Sequence, residues 1–143
     1  MTTHYDYAME TTGLNVLGLP LQPCSTEPLT GFYRDGRCHV AAEDPGAHGV
    51  CAEVDDAFLH YTASMGNELR RAVPGQDFPG LQAGDRWCLC ALRWREAFEA
   101  GVAPPVVLAS THHAVLKVLR LRDLIEHAVD PPASGLDDGF FEF

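Results

Sequence analysis

The chain has 143 residues, of which 46% are apolar, and its 20 acidic and 10 basic residues give a formal net charge of −10. This length suits one domain with a hydrophobic core, and the apolar share excludes an intrinsically disordered chain. The negative charge argues against nucleic acid as a partner, because the overall field repels a polyanion. No apolar run approaches the ~20 residues that span a bilayer, and the N-terminus lacks the features of a signal peptide. We therefore expect a cytoplasmic protein with no membrane partner.

Composition divides the chain into three parts. Residues 1–13 show no hydrophobic periodicity and are predicted to form a flexible N-terminal tail. Residues 131–143 combine Pro, Ser and Gly with acidic side chains, which predicts an acidic C-terminal tail. Residues 14–130 contain no internal repeat and are predicted to form a single globular domain.

In the first part of the domain, residues 14–54, the sequence predicts short strands and turns. An apolar segment over residues 14–25 suits a short strand followed by an extended stretch, because its two prolines cannot donate to a sheet. An Asp-Gly pair between two strand-like runs predicts a β-hairpin over residues 31–40. A loop over residues 41–49 then leads to a brief strand over residues 50–54.

The second half of the chain mixes helices, strands and Pro/Gly-rich loops. Asp55 or Asp56 is a suitable N-cap for a helix that extends to Met65, since apolar residues recur there at helical spacing. An apolar run over residues 86–94 predicts a central strand covered on both faces. Further elements are predicted as a helix over 95–100, a strand over 105–109, a helical turn over 111–116, a strand over 118–121 and a helix over 121–128. The fold class is α+β, with a small mixed β-sheet, about three helices and long Pro/Gly-rich loops.

Five cysteines are many for a chain of this length. In a reducing cytosol they are expected to be free thiols, metal ligands or redox groups in preference to a disulfide framework, and their odd number agrees with this. Inert buried thiols are the alternative, since free cysteine is among the most buried residue types.

A metal site is one candidate constellation, and zinc or another divalent metal is the candidate cofactor. His48 and Cys51 have the spacing of a zinc knuckle, and two cysteines two residues apart on a strand would face the same side. The chain has no paired Cys-x-x-Cys, and cysteines on an apolar strand also fit a core. The candidate ligands are Cys24, His48, Cys51, Cys88 and Cys90.

A thiol–imidazole site is the second constellation. Cys38 follows Arg37, and a nearby cation or imidazole would activate its thiol as a nucleophile. His48 and His112 are the candidate partners, because both are predicted at loops or element ends where they could converge. Asp44, four residues before His48, is positioned to orient that imidazole as a third catalytic member. The alternative is that Asp44 and His48 bond to the backbone of their own loop, as turn residues commonly do.

Arg34 and Arg86 are the candidate substrate-binding residues. Each lies at a predicted turn or strand end, where ligand-contacting groups are often presented, and an arginine fork holds a carboxylate or phosphate in two hydrogen bonds. Each arginine also has an aspartate beside it, Asp35 and Asp85, so ordinary surface ion pairs are the alternative.

Several phrases of the sequence resemble a bacterial domain of unknown function, family 2237, over roughly Leu14 to Ala128. The phrases are NVLGLPLQPCS, TGFYRDGRC, FPGLQAGDRWCLCALRW and the APPVVL run followed by Thr111-His112. The resemblance implies a stand-alone cytoplasmic domain whose cysteine-bearing phrases belong to the family. It implies no reaction.

The residues together favour a small cytoplasmic enzyme with thiol- or metal-assisted chemistry on a small polar or anionic molecule. The alternative is a non-catalytic module that binds structural zinc or a small ligand, and a third hypothesis is an interaction domain that uses the acidic tail. The sequence leaves the oligomeric state open and does not exclude a homodimer.

Overall fold

Two short antiparallel strands form the sheet, and each contains one cysteine that lies opposite the cysteine of the other strand. Strand β1 comprises Val50–Glu53 and strand β2 comprises Arg86–Leu89, with Cys51 opposite Cys88 in the register. The computed structural model describes residues 13–41, 44 and 47–132. The predicted tails, 1–13 and 131–143, therefore lie almost wholly outside the described residues, as do four residues of the predicted 41–49 loop. Within the described part, three helices and this sheet confirm the α+β class, although the sheet is antiparallel and not mixed.

Helix α1 comprises Asp56–Ser64, as its apolar spacing and acidic start predict. A carboxylate oxygen of Asp55 accepts the backbone N–H of Phe58 at 2.8 Å, which satisfies one of the free donors at the helix start. The helix buries Phe58, Leu59 and Thr62 on one face. The predicted helix to Met65 is confirmed, with Met65 as its C-cap.

Helix α2 comprises Ala91–Glu99 and begins inside the segment predicted as a strand. The strand over residues 86–94 is therefore wrong beyond Leu89, while the helix predicted over 95–100 forms the second half of α2. Ala, Leu, Arg and Glu in this segment all favour helix, and a short apolar run does not distinguish a strand from a buried helix. The helix buries Trp94, whose ring stacks on Phe98 with centroids 5.4 Å apart.

Helix α3 comprises Leu121–Glu126 and confirms the predicted final helix, two residues shorter at its end. The strands predicted over 105–109 and 118–121 are wrong. Val106 makes only isolated bridges, to Ala52 and Ala128. The chain then turns at Leu108–Ser110, because the Asp130 carboxylate accepts two successive backbone N–H groups at 2.7 and 3.0 Å. A second short 3-10 helix at His113–Lys117 corresponds to the predicted helical turn over 111–116, and a third lies at Pro74–Gln76.

The predicted β-hairpin over residues 31–40 is wrong. The Asp-Gly pair does form a tight turn, in which Gly36 has φ 90° and its N–H donates to the carbonyl of Thr30 at 2.9 Å. The flanking residues do not pair as strands, because Arg34 and Cys38 bind to other parts of the molecule. The strand predicted from residue 14 is likewise reduced to isolated bridges, one of which joins Leu14 to Pro20.

The buried residues form two clusters on either side of the sheet. The larger is a conventional hydrophobic core built by the three helices, β1 and β2, with Phe58, Trp94, Val106 and Leu124 at its centre. The smaller contains four cysteines and Val107. No helix within the described ranges is long and apolar enough to cross a membrane.

Candidate functional site

Four of the five cysteines converge in one buried cluster and are paired as two disulfides. Cys24 is bonded to Cys51, and Cys38 is bonded to Cys88, with Cα atoms 5.7 and 5.3 Å apart. The expectation of free thiols in preference to disulfides is therefore wrong for these four. The free thiol among the five belongs to Cys90, which is half-buried at the N-cap of α2.

The convergence extends beyond each bonded pair. The sulfur atoms of Cys24, Cys38 and Cys88 all lie within 4.8 Å of one another, and the sulfur of Cys51 is bonded to that of Cys24. Of the predicted metal ligands, Cys24, Cys51 and Cys88 are thus brought together. His48 and Cys90 are not in the group, and Cys38 takes part although it was assigned a different role. Metal binding itself remains a prediction.

Two buried threonine hydroxyls hold the backbone of the cluster. Thr30 accepts the N–H of Cys88 at 2.9 Å, and Thr111 accepts the N–H of Cys51 at 3.1 Å. Thr111 also donates to the carbonyl of Val107 at 2.8 Å. Both strand cysteines therefore have their backbone held by a side chain from a different segment, in addition to their disulfides.

A cavity of about 670 Å³ opens beside the cluster and has Cys88 in its wall. This volume lies within the usual range of about 300–1,000 Å³ for small-molecule sites. Its lining combines aromatic and apolar groups with polar ones. The lining residues are Gly31, Phe32, Tyr33, Arg34, His48, Asn67, Glu68, Leu69, Val73, Gln76, Asp77, Phe78, Trp87 and Cys88.

His48 lines this cavity, and the buried carboxylate of Asp44 lies behind it. One carboxylate oxygen of Asp44 lies 2.7 Å from Nδ1 of His48, and the other accepts the backbone N–H of His48 at 2.9 Å. The Asp44 side chain is 1% exposed, whereas that of His48 is 43% exposed. The contact predicted between the two side chains is present, and so is the alternative backbone contact. A carboxylate oxygen accepts, so Nδ1 of His48 is the donor in this contact, and Nε2 makes no contact with Asp44.

Arg34 forms another wall and is fixed in place by backbone carbonyls. Its guanidinium donates to Gly31 at 2.7 Å, to Gln76 at 2.8 Å and to Asp77 at 3.1 Å. It also lies over the ring of Trp87, 5.1 Å from the ring centroid. These bonds use three of the five N–H donors of an arginine. Arg34 therefore ties the 31–38 segment to the 74–77 turn, and its aspartate neighbour is not its partner.

Glu68, also in the wall, is held as a carboxylate by Arg70. Hydrogen bonds from the Arg70 side chain and backbone lower the pKa of Glu68 to about 2. The two side chains form a fork of bonds at 2.8 and 2.9 Å. Glu68 therefore places a negative charge in the cavity wall at neutral pH.

The backbone around the cavity is strained at three places. The described residues other than glycine with left-handed φ angles are Arg34, Ala47 and Asp77, at 55°, 49° and 52°. Two of them line the cavity and the third directly precedes His48. Such conformations cost on the order of 1–2 kcal/mol each and concentrate at functional sites, where neighbouring contacts enforce them.

The remaining predicted site residues lie elsewhere. Arg86 pairs with Glu53 across the two strands at 3.4 Å, with both side chains about 40% exposed, so this is an ordinary surface ion pair. His112 is buried, and its Nδ1 accepts the N–H of Ala114 at the start of a 3-10 helix. Neither residue lines the cavity. The structure therefore brings Arg34 and His48 together with Cys88 in the cavity wall. Arg86 and His112 lie outside this wall, although the N–H of His112 donates to the carbonyl of Gly49, next to His48.

No sequence pattern indicated the cavity wall contributed by residues 67–78. This segment reads as a loop, and it carries the cavity-lining Asn67, Glu68 and Asp77. The one available signal was the density of Gly and Pro from Pro74 onward, since long loops in a small domain often carry function.

A family model described as "Uncharacterized protein conserved in bacteria (DUF2237)" matches residues 14–128 of this chain. The chain belongs to DUF2237. The match includes the four paired cysteines, the Asp44–His48 pair and the whole cavity lining, so the site described above is contained in the DUF2237 region. No curated protein matches the chain.

Proposed function

We propose that this DUF2237 protein is a small cytoplasmic enzyme that performs acid–base chemistry on a small polar or anionic molecule bound in the cavity. The observation that carries the proposal is the 2.7 Å contact between the buried carboxylate of Asp44 and Nδ1 of His48, a half-exposed side chain in the cavity wall. A carboxylate behind an imidazole fixes its tautomer and stabilises the cation that forms when the ring takes up a proton.

In this proposal Nε2 of His48 accepts a proton from water or from a ligand hydroxyl, and Asp44 holds the ring in position. The loop is fixed on both sides, because Ala47 accepts the N–H of Ala91 at the start of α2 and Gly49 accepts the N–H of His112. A fixed general base contributes about 10²–10⁴-fold to a reaction rate.

The lining favours a planar or partly apolar ligand with a polar or anionic group. Trp87 and Phe78 form an edge-to-face pair with centroids 5.0 Å apart, which supplies a rigid apolar surface. The guanidinium of Arg34 lies over the Trp87 ring, so a negative group on the ligand would meet a positive charge there. Glu68 and Asp77 restrict where that negative group could bind.

Hydrolysis of p-nitrophenyl acetate tests the acid–base role. His48 would take a proton from water as the water oxygen attacks the acetyl carbon and p-nitrophenolate leaves. We expect His48→Gln to lower the rate by at least about tenfold, and Asp44→Asn to lower it by less, because the ring remains but loses its orienting partner. His60→Gln, at an exposed position on α1, is the matched control.

Circular dichroism of each variant separates loss of chemistry from loss of folding. If folded His48→Gln hydrolyses the ester as fast as the His60→Gln control, the acid–base proposal is overturned. If phenyl phosphate shifts the NMR signals of Arg34 and Trp87 in a protein that hydrolyses nothing, the cavity serves a ligand-binding module instead.

Metal binding by the cysteines is a second candidate function, and the convergence of four of them in one buried cluster favours it. It corresponds to a structural zinc module, with the metal in the cluster and apart from the Asp44–His48 pair. Metal analysis of the reduced protein, purified without chelator, tests it. Less than a tenth of an equivalent of zinc per chain would remove this function.

A further inference from the structure

The four clustered cysteines, and not the set predicted from spacing, supply the residue types of a tetrathiolate site in one buried cluster. Sulfur ligands of one tetrahedral zinc ion lie about 3.8 Å apart, given Zn–S bonds of about 2.3 Å. Three of the four sulfur atoms already lie within 4.8 Å of one another. The fourth, on Cys51, is carried by the residue directly opposite Cys88 in the register of the two strands. Small side-chain rotations would therefore bring all four thiolates around one ion.

The surroundings of the cluster match a structural site more closely than a catalytic one. All four cysteines are buried, at 6% exposure or less, as the ligands of a structural site usually are. Thr30 and Thr111 hold the backbone of the two strand cysteines from outside the cluster, as outer contacts hold the ligands of metal sites. The ligands would come from three separate segments, around residues 24–38, β1 and β2.

We propose that the reduced protein binds one zinc ion through Cys24, Cys38, Cys51 and Cys88, and that oxidation to the two disulfides expels it. The inference rests on the metal-binding function proposed above and adds its ligand set and its redox dependence. Each sulfur can be bonded either to zinc or to its partner, so the two states exclude one another. In a reducing cytosol the zinc form prevails, and the disulfide form is its oxidised counterpart.

The exchange balances with a peroxide as oxidant. Two molecules of hydrogen peroxide remove four electrons from the four thiolates and take up four protons. Two S–S bonds form, four water molecules are released, and the ion leaves as Zn²⁺. Cys90 lies outside the bonded set, so it takes no part in the exchange.

The exchange also reaches the cavity. Cys88 is in the cavity wall, and Cys38 is four residues from Arg34, another wall residue. In the zinc form one ion would join three segments of the chain. In the oxidised form two disulfides, Cys24–Cys51 and Cys38–Cys88, join them instead. The cavity wall would then be held differently in the two states, which links redox state to ligand binding.

Zinc stoichiometry of the full-length protein tests the proposal. The protein is reduced with a phosphine, desalted without chelator under nitrogen, loaded with zinc and desalted again. We expect one zinc per chain in this form and none after oxidation, with one zinc released for every two peroxides consumed. Cys24→Ser is expected to weaken zinc binding by more than about 100-fold, because loss of an outer contact alone costs 10–100-fold. Cys90→Ser is the matched control and should bind zinc as the unaltered chain does.

Mass spectrometry after alkylation makes the outcomes distinguishable even where a variant folds poorly. In the zinc form Cys90 should react quickly and the four clustered cysteines slowly. A reduced chain that binds no zinc would overturn both the metal-binding function and the switch. Zinc retained after both disulfides have formed would overturn the switch alone. Zinc lost in Cys90→Ser but kept in Cys24→Ser would overturn the ligand set.

Discussion

The two buried clusters of the molecule are stabilised in different ways. The hydrophobic core, which contains Phe58, Trp94 and Leu124, is built by the helices and is held by apolar burial. The cysteine cluster, which contains Cys24, Cys38, Cys51 and Cys88, lies among turns and is held by covalent bonds and by hydrogen bonds to threonine hydroxyls. β1 and β2 contribute to both. A change of redox state or metal content therefore acts directly on the cysteine side of the sheet, whereas the hydrophobic core contains no bond that such a change would break.

Removing the central aromatic residue of the hydrophobic core should have the largest effect. Trp94→Ala empties a buried site and leaves the carbonyl of Pro104 without its indole donor, which lies 3.1 Å away. We expect a loss of about 3–5 kcal/mol in the free energy of unfolding, measured by urea denaturation. The loss should be the same in oxidised and reduced protein. A loss confined to the oxidised form would contradict the separation of the two clusters.

Breaking one disulfide should affect the cysteine cluster alone. The Cys38–Cys88 bond closes a loop with a sequence separation of 50, for which chain entropy gives a stabilisation of about 4 kcal/mol. The double variant Cys38→Ala/Cys88→Ala should lose about this much under oxidising conditions, by the same measurement. Cys90→Ala is the control and should change little. In reduced, metal-free protein the double variant and the unaltered chain should have the same free energy of unfolding. A difference that persists there would show that the disulfide is not the cause of the loss.

The hydroxyl of Thr111 should have a smaller, measurable effect. Thr111→Val preserves shape but removes an acceptor for the N–H of Cys51 and a donor to the carbonyl of Val107, both buried. We expect a loss of about 1–3 kcal/mol, since the buried N–H of Cys51 is left unpaired. The carbonyl of Val107 still accepts the N–H of Ser110 at 3.1 Å. Amide hydrogen exchange should show faster exchange at Cys51 than in the unaltered protein. Unchanged exchange at Cys51 would show that the disulfides alone fix this strand.

Local sequence signals predicted the helices better than the sheet. Asp55 and the apolar spacing after it were sufficient to predict α1, because a cap and a repeat are properties of neighbouring residues. The run over residues 86–94 contains both β2 and the start of α2, and apolar character does not separate the two. The turn at Asp35-Gly36 was predicted, but the residues on either side of it do not pair as strands. Arg34 and Cys38 instead contact residues that are distant in the sequence.

The candidate site was predicted where its members are close in sequence and missed where they are not. Asp44 and His48 are four residues apart, and their contact could be proposed from spacing. The pairing of the cysteines could not, because any four of the five cysteines allow three connectivities and only the folded chain selects one. The compartment argument also favoured thiols over disulfides. The wall at residues 67–78 was missed, since nothing in a loop sequence shows which surface it will face.

The order in which the cysteines occur along the chain has a consequence for biosynthesis. The bonds join the first cysteine to the third and the second to the fourth, so they interleave. A chain oxidised as it emerges would join Cys24 to Cys38 first, which is the wrong pair. Cys88 comes to lie opposite Cys51 when β2 pairs with β1, which brings the two disulfides side by side, and that pairing also builds the hydrophobic core. Correct oxidation must therefore follow folding, and the core acts as the template for the cross-links.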